Sequence, residues 1–215
     1  MSILRQLTEK PWLTSHDVSP PAAAVELPKA KLGLWVFLSV VTVLFLLLIF
    51  AYAGRMTFED WRPGPELDLL WFNTAALVAS SLAMQWATAT ARRGPVADAA
   101  AGLLTGGLLT LVFLAGQLLA WRQLGSMGAF GVTVPSVAFF YLITGLHGAH
   151  VVGGLVAWAR TLAGLWGGEE VARVRQRIFL CTTYWHFMLG VWLVLFGLLF
   201  SGNNMSAVLA FCGLK

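Results

Sequence analysis

The chain has 215 residues, of which 58% are hydrophobic and only 11% charged, with a mean hydropathy of +0.76 and a formal net charge of +4. Soluble domains carry about 25% charged residues, so this composition excludes an ordinary soluble fold and defines a polytopic membrane protein. The positive balance is a topology signal, and nothing in its distribution suggests a nucleic-acid groove.

The first 32 residues, with Pro11, Pro20, Pro21 and Pro28, form a polar lead. They lack the early apolar run and small-residue cleavage site of a secretory signal, so the segment is expected to be retained. Five stretches follow, each long and uncharged enough to cross a hydrocarbon core of about 30 Å, which takes roughly 20 helical residues. They fall at 33–53, 69–91, 99–120, 135–159 and 178–200. Backbone groups in lipid must bond internally, so helices are the reading. The expected organisation is one five-helix transmembrane bundle over 33–200 and a short outer tail, 201–215.

The second stretch, "LLWFNTAALVASSLAMQWATATA", is the weakest by hydropathy. It follows a connection, "GRMTFEDWRPGPELD", that gathers Glu59, Asp60, Glu66 and Asp68 around prolines and predicts a structured acidic turn. In the third, Gly102 and Gly106 make a GxxxG; in the fourth, Gly145, Ala149 and Gly153 make a small-residue stripe at four-residue steps. Both patterns predict close helix approach. Arg173, Arg175 and Arg177 precede the fifth stretch and suit anionic lipid headgroups, at about 1 kcal/mol per basic residue, or serve as topology-setting charge. Trp35, Trp71, Trp86, Trp121, Trp158 and Trp185 are expected as interfacial anchors.

Counting Lys and Arg by side sets the orientation. One side collects Arg5, Lys10, Lys29, Lys31, Arg92, Arg93, Arg160, Arg173, Arg175 and Arg177, ten of the 14; the other holds Arg55, Arg62, Arg122 and Lys215. The N-terminus is therefore expected in the cytoplasm and the C-terminus outside. Cys181 and Cys212 fall at opposite ends of the last span and make no redox motif.

No Asp, Glu, Lys or Arg lies within any of the five stretches, which argues against a stand-alone proton pump or an ion-coupled transporter. The polar groups at depth include Asn73, Gln85, Gln117 and three histidines. At 100° per residue, His147 and His150 of "TGLHGAHVVGG" lie about 60° apart on one helix face, away from the Gly145/Ala149/Gly153 stripe. His150 sits roughly 16 Å from the inner end of its span and His186 roughly 12 Å from the start of the next, so the two share a level. Axial haem ligation by His150 and His186, a zinc or copper site on all three rings, and interhelical hydrogen bonding are the chemistries available. Three neutral ligands with no carboxylate second shell are an odd metal site. Helix joining, at about 0.6 kcal/mol and sometimes up to about 1.7 per bond, is the preferred reading.

The stretches "FFYLITGLHGAHVVGGLV" and "YWHFMLGVWLVLF" resemble the helices that close subunit III of haem–copper terminal oxidases. "LLWFNTAALVASSLAMQWA" is similar to that family's Asn-Thr span, "FLAGQLLAW" to its Gln-containing helix, and "LGLWVFLSVVTVLF" to the opening helix of its larger bundle. The similarity covers 32–200 and fits a short, five-helix bacterial form. It implies an accessory subunit without cofactors of its own in the bacterial cytoplasmic membrane. Its partners would be a catalytic subunit I holding haem and copper, a copper-bearing or quinol-type subunit II, and phospholipid bound in a cleft. Family members support sustained turnover and proton uptake. By resemblance, Asn73, Gln117, His147, His150, Tyr184, Trp185, His186 and Trp192 are motif positions that hold the bundle together, with no catalytic or redox-ligand role. The chain departs from the family at three places where carboxylates are common: Val41, Ala120 and Leu189. No carboxylate-dependent role is carried over. Alternatives are a subunit III-like partner of a quinol oxidase or nitric oxide reductase and, from another class, an independent b-type cytochrome using His150 and His186.

Overall fold

The structure, a computed structural model, describes residues 29–62, 68–126 and 134–200. Most of the polar lead, the outer tail with Cys212, and Glu66 of the acidic turn lie outside the described residues. Five long helices make up the described chain: α1 Lys29–Arg55, α2 Leu69–Arg93, α3 Ala99–Ser126, α4 Pro135–Trp166 and α5 Val171–Phe200. A single 3-10 turn, Val96–Asp98, leads into α3.

Four of the five are long and apolar enough to cross a membrane: α1, α3 with its 3-10 turn, α4 and α5. The exception is α2, whose hydropathy is diluted by Asn73, Thr74, Ser80, Ser81 and Thr88, every one of them buried. These side chains face other helices rather than lipid, so a hydropathy average understates how dry the helix is.

All five helices run longer than the apolar stretches of the sequence predict, the fourth and fifth by the most. The fourth continues to Trp166, and α5 begins at Val171, so Arg173, Arg175 and Arg177 stand on its first two turns rather than in a connection. Helical hydrogen bonding needs no lipid, and charged residues beyond the hydrocarbon continue a helix that hydropathy cannot see. Between α4 and α5, Gly168 at φ +68° supplies the left-handed residue that lets the Glu169 amide N–H reach back to the Gly164 carbonyl (3.1 Å).

The tightest pairing is α2 on α3. A Cβ at Gly102 would lie 2.8 Å from the Cβ of Ala87, and one at Gly106 would lie 2.7 Å from the Met84 sulfur. Further along α3, the indole of Trp158 occupies the space above Gly107, and Asn73 that above Gly116. On α4 the seat is Gly154, where a Cβ would meet the Tyr184 ring at 2.6 Å. The predicted stripe behaves differently: Gly153 has no atom within 4 Å of its Cβ position, and Gly145 meets only the Trp121 ring at 3.4 Å. The expectation that this stripe packs a neighbouring helix is therefore corrected, because the next helix lies one residue round, at Gly154.

Contacts hold α1 along one narrow line, Leu38, Val41, Phe45 and Tyr52, while Trp35, Val36, Val40, Val43 and Leu47 are exposed. Its C-terminal half joins Ile143 of α4 and Leu195 and Leu198 of α5 in a second hydrophobic cluster. Val41 and Ala120 are buried among apolar side chains and Leu189 packs against the main core. Each position thus sits in a setting that favours the residue present over a charge.

Candidate functional site: a polar seam and a cleft

The polar side chains at depth form a seam where α2 meets α3 and α5. Ser80 donates to the Gly106 carbonyl (2.7 Å) and lies 2.7 Å from the Thr110 hydroxyl. The Trp185 indole N–H reaches both hydroxyls at 3.0 Å. One turn inward, Thr182 donates to the Met84 carbonyl (3.0 Å) and lies 2.8 Å from Thr88. Toward the C-terminal end of α5, the Trp192 indole N–H donates to Thr74 (2.9 Å). Each bond satisfies a donor that would otherwise be unpaired in hydrocarbon. Trp185 is thus a core residue and not an interfacial anchor, whereas Trp35, Trp71 and Trp86 are more than half exposed. Trp121 and Trp158 are partly buried, donating to Thr144 (3.0 Å) and the Leu103 carbonyl (2.8 Å).

Asn73 and Gln117 are buried and face each other, with the Asn73 amide donating to Gln117 Oε1 at 3.4 Å. Asn73 Oδ1 and Gln117 Nε2 have no hydrogen-bond partner among the described residues. Neither has His147, at 0% exposure: its ring is boxed by Trp192 (5.0 Å between ring centres), Phe113 (5.8 Å) and Phe45 (6.3 Å).

The three histidines do not converge. His150 bonds the Leu146 carbonyl through Nδ1 (2.8 Å) and packs against Phe37 and Phe45 of α1. His186 points to α2 instead, where Nδ1 lies 2.5 Å from the Ser81 hydroxyl and Nε2 lies 3.0 Å from Gln85 Oε1. The shared level expected for His150 and His186 is not matched by a shared direction, because the α4 and α5 faces that carry them turn toward different neighbours. Among the described residues no three His, Cys, Asp or Glu side chains are grouped to hold a metal ion.

On the other side of the bundle, α1, α4 and α5 enclose a cleft of about 1220 Å³. Leu34, Phe37, Ala157, Leu180 and Cys181 give it apolar walls, and Gly153 opens onto it. His150 and Tyr184 lie at its deep end, the Tyr184 hydroxyl donating to the His150 carbonyl (2.7 Å). At the end next to the α4–α5 connection stand Arg160 and Arg177 with Glu169, and Arg177 Nη1 donates to Glu169 Oε1 (3.1 Å). Gly164 makes room for that pair, since a Cβ there would lie 2.9 Å from the guanidinium. Of the three basic residues read together from the sequence, only Arg177 lines the cleft. Arg175 donates to the Gly94 carbonyl (3.2 Å), and Arg173 lies 3.9 Å from Glu170. Arg160 takes the second cationic place, and its value was not legible because α4 was expected to end just before it.

An all-helical membrane bundle with interior polar groups turned on its own helices, and one amphipathic cleft, is a multi-pass scaffold. Residues 29–202 match the family described as cytochrome c oxidase subunit III. A probable cytochrome c oxidase subunit 3 from Mycobacterium tuberculosis is 33% identical over 147 residues, covering 66% of this chain and 71% of its own. Cytochrome c oxidase subunit 3 from Synechocystis is 32% identical over 177 residues, 78% of this chain and 73% of its own. Subunit 3 of the cytochrome bo(3) ubiquinol oxidase from Pseudomonas aeruginosa is 27% identical over 168 residues, 76% of this chain and 80% of its own. The chain belongs to the cytochrome c oxidase subunit III family and is a multi-pass membrane protein.

Proposed function

We propose that this chain is the non-catalytic accessory subunit of a haem–copper oxygen reductase in the bacterial cytoplasmic membrane. It would cross that membrane five times, with the N-terminus in the cytoplasm and the C-terminus outside. Its relatives carry names of both cytochrome c and ubiquinol oxidases, and the donor is set by the partner chains. In this reading the haems and copper belong to those partners, a catalytic subunit I and a subunit II.

The observation that carries the proposal is the engagement of the motif residues. Tyr184, Trp185, His186 and Trp192 direct their polar atoms at neighbouring helices, which is how side chains act as scaffold rather than as redox ligands. The cleft adds a second role. Apolar walls beneath Arg160 and Arg177 suit an acyl chain below an anionic headgroup, and each basic residue contributes about 1 kcal/mol toward such a lipid.

The test is purification of the chain from its native membrane in gentle detergent, with reduced-minus-oxidised spectra of the complex and of the separated chain. Copurification with a haem–copper catalytic subunit, and no haem on the separated chain, is expected. A haem spectrum that stays with the isolated chain overturns the reading. Lipid mass spectrometry of the same complex is expected to find phospholipid that the Arg160→Gln/Arg177→Gln double variant fails to retain.

A further inference from the structure

Two polar atoms at the deep end of the cleft share one chemistry. His150 stands halfway along α4 (Pro135–Trp166) and lines the cleft. Its Nδ1 lies 2.8 Å from the Leu146 carbonyl, which only accepts, so Nδ1 carries the proton. The neutral ring then has a bare lone pair on Nε2, and that atom has no hydrogen-bond partner among the described residues. A charged ring is disfavoured there, since the one carboxylate lining the cleft among the described residues is Glu169, at the far end beside Arg160 and Arg177. Tyr184 gives its only proton to the His150 carbonyl (2.7 Å), which leaves its oxygen as a second acceptor. The donors nearby are engaged or weak: the Trp185 N–H bonds Ser80 and Thr110, and Cys181 has only a thiol.

The phospholipid proposed for this cleft does not supply the missing donor. Its phosphate belongs at Arg160, ten residues (160 − 150) and about 15 Å of helix away from His150, and its acyl chain has no O–H or N–H. The wall beside His150 is also flat. Ala149 and Gly153 of the predicted stripe, with Ala157 four residues on, line the cleft and are exposed, and none has a side chain beyond Cβ. A flexible acyl chain follows any contour, whereas a planar ring needs such a surface. The two acceptors stand among rings as well: Phe37 lies 6.3 Å from the His150 ring and 6.2 Å from the Tyr184 ring, between centres, within the range of aromatic pairing.

We propose that the deep end of the cleft binds a lipid-soluble hydroquinone. Its ring lies on the Ala149–Gly153 wall beside Phe37, one hydroxyl donates to His150 Nε2, the other faces the Tyr184 oxygen, and the apolar tail follows the cleft walls. Two acceptors without a strong donor select the reduced molecule. The oxidised quinone has carbonyls that only accept, and would set lone pair against lone pair. The site binds and orients, and no electron transfer is assigned to it. The inference goes beyond the accessory-subunit reading and does not depend on it.

The experiment photolabels the whole complex, purified in gentle detergent and kept anaerobic, with a decylhydroquinone that carries a diazirine on the first carbon of its tail. Mass spectrometry is expected to find the label on cleft residues of α1 and α4 around Phe37 and Gly153. Unlabelled decylhydroquinone is expected to displace it at a concentration about five- to tenfold lower than decylquinone, the ratio that one hydrogen bond supplies. His150→Phe keeps a ring but removes the acceptor, and is expected to lower the labelling by a similar factor and to narrow the preference for the reduced form. Should that variant fail to accumulate, the competition on the wild-type chain decides alone. Equal displacement by the two forms, or a label that unlabelled hydroquinone does not displace, overturns the site. Absence of any catalytic subunit from the preparation, with labelling and displacement as expected, overturns the accessory reading and leaves the site standing.

Discussion

The two sides of this bundle solve the problem of packing helices in lipid differently. Where α2 meets α3 and α5, glycine and alanine bring backbones close and hydroxyls bridge them, so that Ser80, Thr110 and Trp185 share three-way hydrogen bonds. Where α1 meets α4 and α5, a single line of apolar side chains makes the contact, and the remaining space is the cleft. The first arrangement fixes geometry; the second leaves room for a ligand. The difference teaches that small residues in a membrane helix have opposite meanings depending on what lies over them, since Gly154 seats a tyrosine and Gly153, its neighbour, faces open space.

The largest expected effect tests that contrast directly. Gly116→Leu would place its Cβ 2.0 Å from Asn73 Oδ1, and Gly107→Leu would place it 2.3 Å from the Trp158 ring. Overpacking of this kind costs about 1–3 kcal/mol and often more, so both variants should lose most folded material in mild detergent. Gly153→Leu should unfold at the wild-type temperature while losing cleft-bound lipid. Equal loss from all three, measured by fluorescence-detected size-exclusion after heating, would mean that the cleft is as tightly packed as the seam.

Next in size is the seam's hydrogen bonding. Trp185→Phe keeps the ring volume but removes the only N–H that meets both Ser80 and Thr110 among the described residues. Interhelical bonds in lipid contribute about 0.6 and up to about 1.7 kcal/mol, and a loss within that range is expected in reversible unfolding of the detergent-solubilised chain. A double-mutant cycle with Thr110→Val isolates the shared part. Coupling near zero would show that Trp185 contributes through its ring alone.

A smaller and opposite effect separates two histidines from the two motif stretches of α4 and α5. Neither nitrogen of His147 has a partner among the described residues, and three aromatic rings enclose it. Replacing it by leucine removes unpaired polar atoms from an apolar box, which is close to neutral or mildly stabilising. His186→Leu instead strands Ser81 and Gln85 and should lower stability by about 1 kcal/mol. The comparison inverts if His147 is the more sensitive of the two, which would place a bound water or partner group at its ring.

How much of this was legible in the sequence follows from what each kind of residue reports. Long apolar runs located all five helices, and the pairing of Gly102 with Gly106 pointed to a close contact because a GxxxG repeats on one helix face. The family resemblance rested on the residues around His147, His150 and His186. Geometry beyond a single helix was not legible. Helical periodicity puts His147 and His150 on one face of α4, yet only the rotation of α4 against α1, α3 and α5 decides which ring is boxed and which borders the cleft. The same rotation selected Gly154 over Gly153 and turned Trp185 inward. Arg160 and Arg177 meet across a gap that depends on the length of α4 beyond the hydrocarbon, where hydropathy carries no signal.

The smallest expected effect lies outside the membrane and sharpens the contrast by its solvent dependence. At the C-terminal end of α1, Arg55 and Asp60 form a two-pronged ion pair, Nη1 donating to Oδ1 at 2.7 Å, and the guanidinium also lies 4.9 Å from the Phe58 ring. The hydrogen bond from Arg55 holds the Asp60 carboxyl below its ordinary range. A carboxylate lowered in this way adds stability that is present above its unfolded pKa of about 3.9 and is lost as the pH falls through the folded value. Asp60→Asn should therefore loosen the turn between Thr57 and Trp61 at neutral pH, read as faster amide exchange there, and the difference from wild type should begin to shrink on acidification below about pH 4 and vanish only once the pH is under the lowered folded value. It should also shrink in about 1 M salt, where the screening length falls to about 3 Å. The hydroxyl seam, uncharged and buried, should respond to neither change; a seam that loosened with salt or acid would have water in it.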